Sequence, residues 1–183
     1  MQKFLRTFSI NELVIIGLVA ALGMATKPVV VPLTHIITGP LFIPGGSLAG
    51  GFYMLWIVLG AGLVKKKGSG TVIALTQAAL AIVLGIYGTH GITSLLTYTL
   101  PGIAIDVVFL FSRNYKYNIM HYFIAGAISN ISGAFAVNLV IFQLPFIPLM
   151  LSLSVALFSG GLGGILAYNI NSKLSKLKVL NEH

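Results

Sequence analysis

The chain has 183 residues, of which 57% are hydrophobic and only 8% are charged, and its formal net charge is +8. An ordinary soluble domain carries about 25% charged residues, so the composition excludes one and indicates a membrane protein. The sequence contains no cysteine. This excludes a disulfide framework, a thiol nucleophile and a metal site with cysteine ligands.

Six apolar runs follow one another along the chain, each close to the roughly 20 residues that a helix needs to cross a bilayer. They predict an all-α membrane protein, with six transmembrane helices in a single domain that covers residues 1–183. The predicted spans are Glu12–Val31, Ser47–Val64, Thr71–Tyr87, Thr93–Phe111, Ile119–Phe142 and Leu149–Asn171. The first run also resembles a secretory signal peptide, but Asn11 and Glu12 interrupt its approach, which favours a retained helix.

Basic residues mark every second gap between these runs. The gaps that contain them hold ten of the eleven Lys and Arg residues: Lys3, Arg6, Lys65, Lys66, Lys67, Arg113, Lys116, Lys173, Lys176 and Lys178. The gaps in between, residues 32–46, 88–92 and 143–148, hold no Lys, Arg, Asp or Glu. Cytoplasmic loops of membrane proteins are enriched in Lys and Arg, so the pattern places both termini in the cytoplasm and the uncharged loops outside.

The first span carries small residues at every fourth position, namely Gly17, Ala21 and Ala25. Small residues let helix backbones approach closely, and this is a main source of helix association in lipid. The face therefore either packs inside this chain or docks another membrane subunit. Gly160 and Gly164 share a face of the sixth span in the same way, where packing within the chain is the simpler interpretation.

The uncharged segment between the first two spans, residues 32–46, combines three prolines and three glycines with several large apolar residues. A loop this apolar is expected to fold back over the bundle. It predicts an outer lid over a pocket, with His35 and Thr38 as its polar points. The alternative is a re-entrant or interfacial segment without a gating role.

Two charged residues lie apart from the cytoplasmic set. Asp106 is the only acid well inside a span, where a charged side chain is energetically costly. It either contacts a substrate or a proton, or it is a buried acid that bonds to a neighbouring helix, for example to Asn130. Lys27 stands near the outer end of the first span. Snorkelling to the outer headgroups is the favoured interpretation of Lys27, and contact with an anionic group of a solute is the alternative.

The outer halves of the spans are rich in aromatic and hydrogen-bonding side chains. A largely apolar pocket with a few aimed polar groups suits a flat heterocyclic solute. The candidate substrate-binding residues are Tyr53, Trp56, His90, Thr97, Tyr98, Asn138 and Gln143, together with Asp106. Three further polar residues could instead form hydrogen bonds between helices and not line the pocket, namely Asn130, Gln77 and Ser129.

The sequence lacks a nucleotide-binding loop, a zinc-protease motif, a nucleophile elbow and paired carboxylates. It therefore predicts neither an enzyme nor a cofactor or metal site. The few charged residues within the predicted spans form no proton relay. Transport of a solute against its concentration gradient would therefore need energy from a partner protein.

Several segments resemble the substrate-binding S component of energy-coupling factor (ECF) transporters. Residues 21–25, Ala-Leu-Gly-Met-Ala, are similar to the Ala-x-x-x-Ala face by which S components dock a shared transmembrane subunit. Two further segments resemble thiamine-related S components of the YkoE type. Their second span is similar to residues 53–56 and the basic turn Lys65–Gly68 that follows, and their fourth span is similar to Pro101–Phe109 followed by Arg113.

The resemblance implies a prokaryotic importer subunit that captures a vitamin, here thiamine or hydroxymethylpyrimidine. Its implied partners are a transmembrane coupling subunit and two cytoplasmic ATPases. Thiamine-type S components commonly place carboxylates near the pocket, and the third span, Thr71–Tyr87, has none. The alternative substrates are therefore a neutral pyrimidine precursor, or another vitamin such as riboflavin, biotin or pantothenate. A facilitator or channel without partners, and a purely structural subunit, are the alternatives.

Overall fold

The computed structural model describes residues 8–41, 44–85, 94–112 and 117–176, and it contains the predicted bundle of six helices. The helices are α1 (Ile10–Thr38), α2 (Gly45–Val64), α3 (Ser69–Val83), α4 (Ser94–Leu110), α5 (Ile119–Val137) and α6 (Phe146–Lys176). A 3-10 turn, Gly39–Leu41, follows α1, and a π-helical turn, Asn138–Phe142, extends α5. Within the described ranges, α1, α2, α5 with its π-helical turn, and α6 are long and apolar enough to cross a membrane, while α3 and α4 are shorter.

The start of α1 is fixed by a reciprocal cap. The Ser9 side chain accepts a hydrogen bond from the backbone N–H of Glu12, and the Glu12 carboxylate accepts one from the backbone N–H of Ser9. These two bonds satisfy backbone donors that have no partner within the helix. The cap explains why α1 begins at Ile10, two residues before the predicted start.

The first helix extends into the segment that was predicted to be a loop, while the predicted role of that segment as a lid stays a prediction. Residues 32–38 are helical, so His35 and Thr38 lie on the last two turns of α1 and not on a loop. The Thr38 hydroxyl donates to the Thr34 carbonyl oxygen, and the ring of exposed His35 lies against Gly45 at the start of α2. Pro28 and Pro32 both lie inside the helix, as prolines in membrane helices often do.

The ends of the helices group as the charge pattern predicts. The Lys66 ammonium lies 2.7 Å from the Glu12 carboxylate, which joins the start of α1 to the end of α2. Tyr117, just before α5, lines a shallow cleft together with Lys66 and Asp106 at this same end. At the opposite end, the hydroxyls of Ser47 and Ser152 lie 2.7 Å apart and join the starts of α2 and α6.

Glycines bring α6 into backbone contact with both α2 and α5. A Cβ on Gly126 would overlap the carbonyl oxygen of Gly160, and a Cβ on Gly163 would overlap that of Gly51. Neither obstacle is a flexible side chain, so only glycine fits at these crossings. The interpretation of the Gly160 and Gly164 face as packing within the chain is confirmed, since Gly164 also meets the backbone of Tyr122.

We expect Gly126→Ala to lower the stability of the bundle, because the added methyl group must push two backbones apart. Overpacking of this kind costs about 1–3 kcal/mol, and thermal unfolding of the purified protein in detergent would measure it. Gly17→Ala is the matched control, since no atom lies within 4 Å of a Cβ built there. An equal fall in unfolding temperature for both variants would contradict the packing argument.

Candidate functional site

The side chain of Lys27 points into the bundle. Only 4% of the residue is exposed, and its ammonium lies 3.6 Å from the centre of the Tyr98 ring on α4 and 5.4 Å from that of Tyr53 on α2. The prediction that Lys27 snorkels to the outer headgroups is therefore wrong. Gly23 and Met24, one turn earlier on the same face of α1, are also buried, so this face packs against the other helices.

Three buried polar atoms of the described residues have no hydrogen-bond partner: Lys27 Nζ, Tyr53 Oη and Gln77 Nε2. They come from three helices, α1, α2 and α3. The Gln77 amide lies against Gly23, where a Cβ would overlap it, and Trp56 is the next neighbour at 3.4 Å from that position. Gly23 precedes Lys27 by about one helical turn, so Gln77 and Lys27 adjoin the same stretch of α1, and the Lys27 ammonium lies 5.4 Å from the centre of the Tyr53 ring. We call Lys27, Tyr53 and Gln77 the donor cluster.

Aromatic rings border the donor cluster. Tyr98 faces the ammonium, Tyr53 contributes both its ring and its hydroxyl, and Trp56 follows Tyr53 by three residues on α2. Sequence reasoning had placed all three in one pocket. The structure places the Tyr53 and Tyr98 rings near the Lys27 ammonium, and the Trp56 Cβ near Gly23. Buried unpaired polar groups are rare in folded proteins, and they often mark a function that a ligand or water completes.

The other predicted pocket residues lie in different settings. Thr97 is buried on α4, where its backbone packs near Gly133 of α5. The Asn138 side-chain oxygen accepts from the backbone N–H of Leu144 at 2.9 Å, and Gln143 is exposed in the left-handed conformation that ends the π-helical turn. Asn138 and Gln143 thus form the turn between α5 and α6. His90 lies outside the described residues.

Asp106 bonds to the first turn of α3. Its carboxylate accepts hydrogen bonds from the backbone N–H groups of Gly70 and Thr71, at 2.9 and 2.8 Å, and from the Thr71 hydroxyl at 2.5 Å. An acid at a helix N-terminus satisfies free backbone donors and complements the helix dipole. Asp106 also lies eight residues beyond Tyr98, about 12 Å along α4. These contacts favour the structural interpretation of Asp106, although its partner is not Asn130.

Asn130 and Ser129 hold other helices together. The Asn130 amide donates to the carbonyl oxygens of Ser47 on α2 and Ala156 on α6, at 3.0 and 2.9 Å. The Ser129 hydroxyl donates to the Met54 sulfur. The interpretation of these two residues as hydrogen bonds between helices is confirmed, whereas the Gln77 amide nitrogen has no partner.

We expect Asp106→Ala to destabilise the protein without weakening substrate binding. The change leaves two backbone N–H groups of α3 unpaired, and each buried unpaired donor costs about 1–3 kcal/mol. Thermal unfolding with and without substrate would measure both effects. Asp106→Asn, which keeps one acceptor oxygen, should lie between the wild type and the alanine variant. A loss of affinity in a fully folded Asp106→Asn variant would restore Asp106 as a substrate contact.

The small-residue face of α1 is open. Ala21 and Ala25 are exposed, and a Cβ on Gly17 would meet no atom within 4 Å. Large apolar neighbours Val14, Leu18 and Leu22 are exposed beside them. The described part of the chain thus leaves this face unpacked, whereas Gly126, Gly160, Gly163 and Gly164 meet backbone atoms of neighbouring helices.

Sequence reasoning considered Gln77 for a hydrogen bond between helices and did not include it among the candidate substrate-binding residues, and it missed the inward orientation of Lys27. The available signal was that Lys27 is the one base outside the cytoplasmic set, one turn from a glycine that leaves room for a neighbouring side chain. Among the described residues, no three His, Asp or Glu side chains come together in a way that would hold a metal ion.

Comparison with known proteins gives two matches. The family model described as "ABC-type cobalt transport system, permease component" matches residues 11–132. A solved structure described as a crystal structure of an S-component of an ECF transporter is similar in fold, with a TM-score of 0.79, 21% sequence identity, and coverage of 95% of this chain and 89% of that one. A search among curated proteins found no match.

Proposed function

The chain belongs to the family of permease components of ABC-type cobalt transport systems, and on this premise we propose that it is the substrate-binding S component of an ECF transporter. It is a multi-pass membrane protein of a transport system and not an enzyme. The observation that carries the proposal is the donor cluster, a set of buried polar groups without partners among aromatic rings. A purely structural subunit has no use for such groups.

The cluster lies at the depth that capture from outside requires. Tyr53 and Trp56 are eight and eleven residues from Gly45, which begins α2 at the end opposite the basic loops. At 1.5 Å per residue, they lie about 12 and 16 Å below that end. A solute that enters from the outer side would therefore meet the cluster near the middle of α2, which has 20 residues.

The open face of α1 supports docking of a partner. Gly17, Ala21 and Ala25 offer a flat surface on which another helix backbone approaches closely. The occupant we propose is the transmembrane coupling subunit of the transporter. Two cytoplasmic ATPases would supply the energy, since this sequence contains no nucleotide-binding loop.

A vitamin or vitamin precursor is the substrate class that we propose, with a thiamine-related compound as the one that the sequence resemblance implies. The resemblance implies either thiamine or hydroxymethylpyrimidine. Of these two, neutral hydroxymethylpyrimidine suits the site better, because the Lys27 ammonium would repel thiamine, which is a permanent cation. The same repulsion argues against a metal cation as the captured species, although the family description refers to cobalt. The rings of Trp56, Tyr53 and Tyr98 suit a flat organic molecule.

Two measurements test the proposed function. The purified chain alone should bind a small organic molecule tightly, which native mass spectrometry of the detergent-purified protein would reveal as a co-purified compound. Uptake in cells should require co-expression of a coupling subunit and its ATPases. Saturable uptake by the chain without these partners would instead identify a facilitator, and a chain that binds no solute would identify a structural subunit.

A further inference from the structure

The charge of Lys27 lacks a counterion among the described residues. The sequence contains three acids, Glu12, Asp106 and Glu182, and the last lies outside the described ranges. Glu12 pairs with Lys66, and Asp106 caps α3, both at the end of the bundle that carries the basic loops. A buried ammonium without a hydrogen-bonded partner is costly, and the Tyr98 ring only partly offsets that cost because it accepts no regular hydrogen bond.

All three atoms of the donor cluster are able to donate hydrogen bonds. The Lys27 ammonium and the Gln77 amide nitrogen only donate, and the Tyr53 hydroxyl has one proton to give. A group that only accepts, and that carries negative charge, would satisfy all of them at once. Carboxylates and phosphates are such groups, and hydrogen bonds from an ammonium to them are among the strongest in proteins.

On the basis of the proposed function, we infer that the substrate is a flat organic anion whose carboxylate or phosphate group is bound by Lys27, Tyr53 and Gln77. Its ring packs against Trp56 and Tyr98. The inference narrows the substrate class to a vitamin acid or the phosphate ester of a vitamin precursor. It excludes free thiamine and free hydroxymethylpyrimidine, and it keeps the phosphate ester of hydroxymethylpyrimidine as the thiamine-related candidate.

Titration calorimetry with the full-length purified chain in lipid nanodiscs would test this inference, using matched pairs of ligands that differ in one acidic group. The pairs are biotin and biotin amide, and hydroxymethylpyrimidine phosphate and hydroxymethylpyrimidine. Native mass spectrometry of the same sample would identify any compound that co-purifies. The carboxylate and phosphate pairs distinguish the two sources of negative charge.

We expect the anionic member of one pair to bind at least about ten-fold more tightly than its neutral partner, as the loss of one charged hydrogen bond implies. Lys27→Met should remove this difference, Lys27→Arg should keep part of it, and Tyr53→Phe should weaken anion binding several-fold. Lys67→Met replaces an exposed lysine of the cytoplasmic side and should change nothing. Lys27→Met should unfold at no lower temperature than the unliganded wild type, because methionine fills the same volume without a buried charge.

Equal affinity for the anionic and the neutral member of the ligand pair that binds would overturn the inference. A difference in affinity between them that persists in Lys27→Met would overturn it too. A co-purified compound without an acidic group would overturn it as well, and both results leave the role of an S component standing. If neither titration nor mass spectrometry detects any bound solute, the proposed function fails, and the inference fails with it.

Discussion

Ala21→Trp and Ala25→Trp are expected to abolish substrate uptake while leaving substrate binding intact. Both residues are exposed on the open face of α1, so a tryptophan there disturbs no contact described within the chain. Against a partner helix, however, the indole ring would hold the two backbones several ångströms apart. Close approach through small residues is the main attraction available between helices in lipid, so each substitution should prevent docking.

The measurement has two parts, carried out on the same variants. Uptake is followed in cells that co-express the coupling subunit and the ATPases, and affinity is measured with the purified chain. Leu162→Trp is the control, since Leu162 is exposed on α6, which packs on α2 and α5. It should transport normally. Full uptake by both alanine variants would remove the assignment of the α1 face as the docking surface.

The number and order of the helices were predictable from the sequence because both depend on local properties. Each span is a run of apolar residues, and each cytoplasmic gap is marked by its own Lys and Arg residues, as in Lys65–Lys67. Insertion into a membrane is decided largely segment by segment on these two quantities. The predicted bundle of six helices was confirmed for that reason.

The length of α1 was not predictable in the same way. Pro28 and Pro32 are signals for a helix end in soluble proteins, and the segment beyond them was interpreted as a lid. In the structure the helix continues to Thr38, and its last turns bear exposed apolar residues such as Ile36 and Ile37. Hydrocarbon offers the backbone no hydrogen-bond partner, so a helix is the stable conformation for such a segment even when prolines interrupt its ladder.

The direction of a polar side chain depends on helices that are distant in sequence. Gly23, one turn from Lys27, leaves room for a neighbouring side chain, but it does not by itself distinguish a lysine that reaches the headgroups from one that turns inward towards Tyr98. Asp106 was recognised as an unusual acid, but its true partners, Gly70 and Thr71, lie 35 or 36 positions away and were interpreted only as a span boundary. Tyr53 and Trp56, the predicted site residues that lie near Lys27 and Gly23, share one face of one helix.

Trp56→Ala is expected to weaken substrate binding by about 10- to 100-fold, which corresponds to roughly 1.4–2.8 kcal/mol of binding free energy. The Trp56 Cβ lies 3.4 Å from the position of a Cβ built on Gly23, where the Gln77 amide is also a neighbour, so the substitution removes a large aromatic side chain at the border of the donor cluster. Titration of the purified variant with its co-purified solute would measure the change. Trp56→Phe keeps an aromatic ring and should retain most of the affinity.

The control must separate lost binding from lost stability, because Trp56 also packs against the hydrophobic core. Phe52→Ala serves this purpose, since Phe52 lies on the same helix with half of its surface exposed. Its removal should leave affinity unchanged, and thermal unfolding of both variants would report how much each contributes to the fold. If Trp56→Ala unfolds at a lower temperature yet binds the solute as the wild type does, Trp56 is a core residue and the solute lies elsewhere in the bundle. If affinity falls in Trp56→Ala and not in Phe52→Ala, the aromatic border and the donor cluster belong to one binding site.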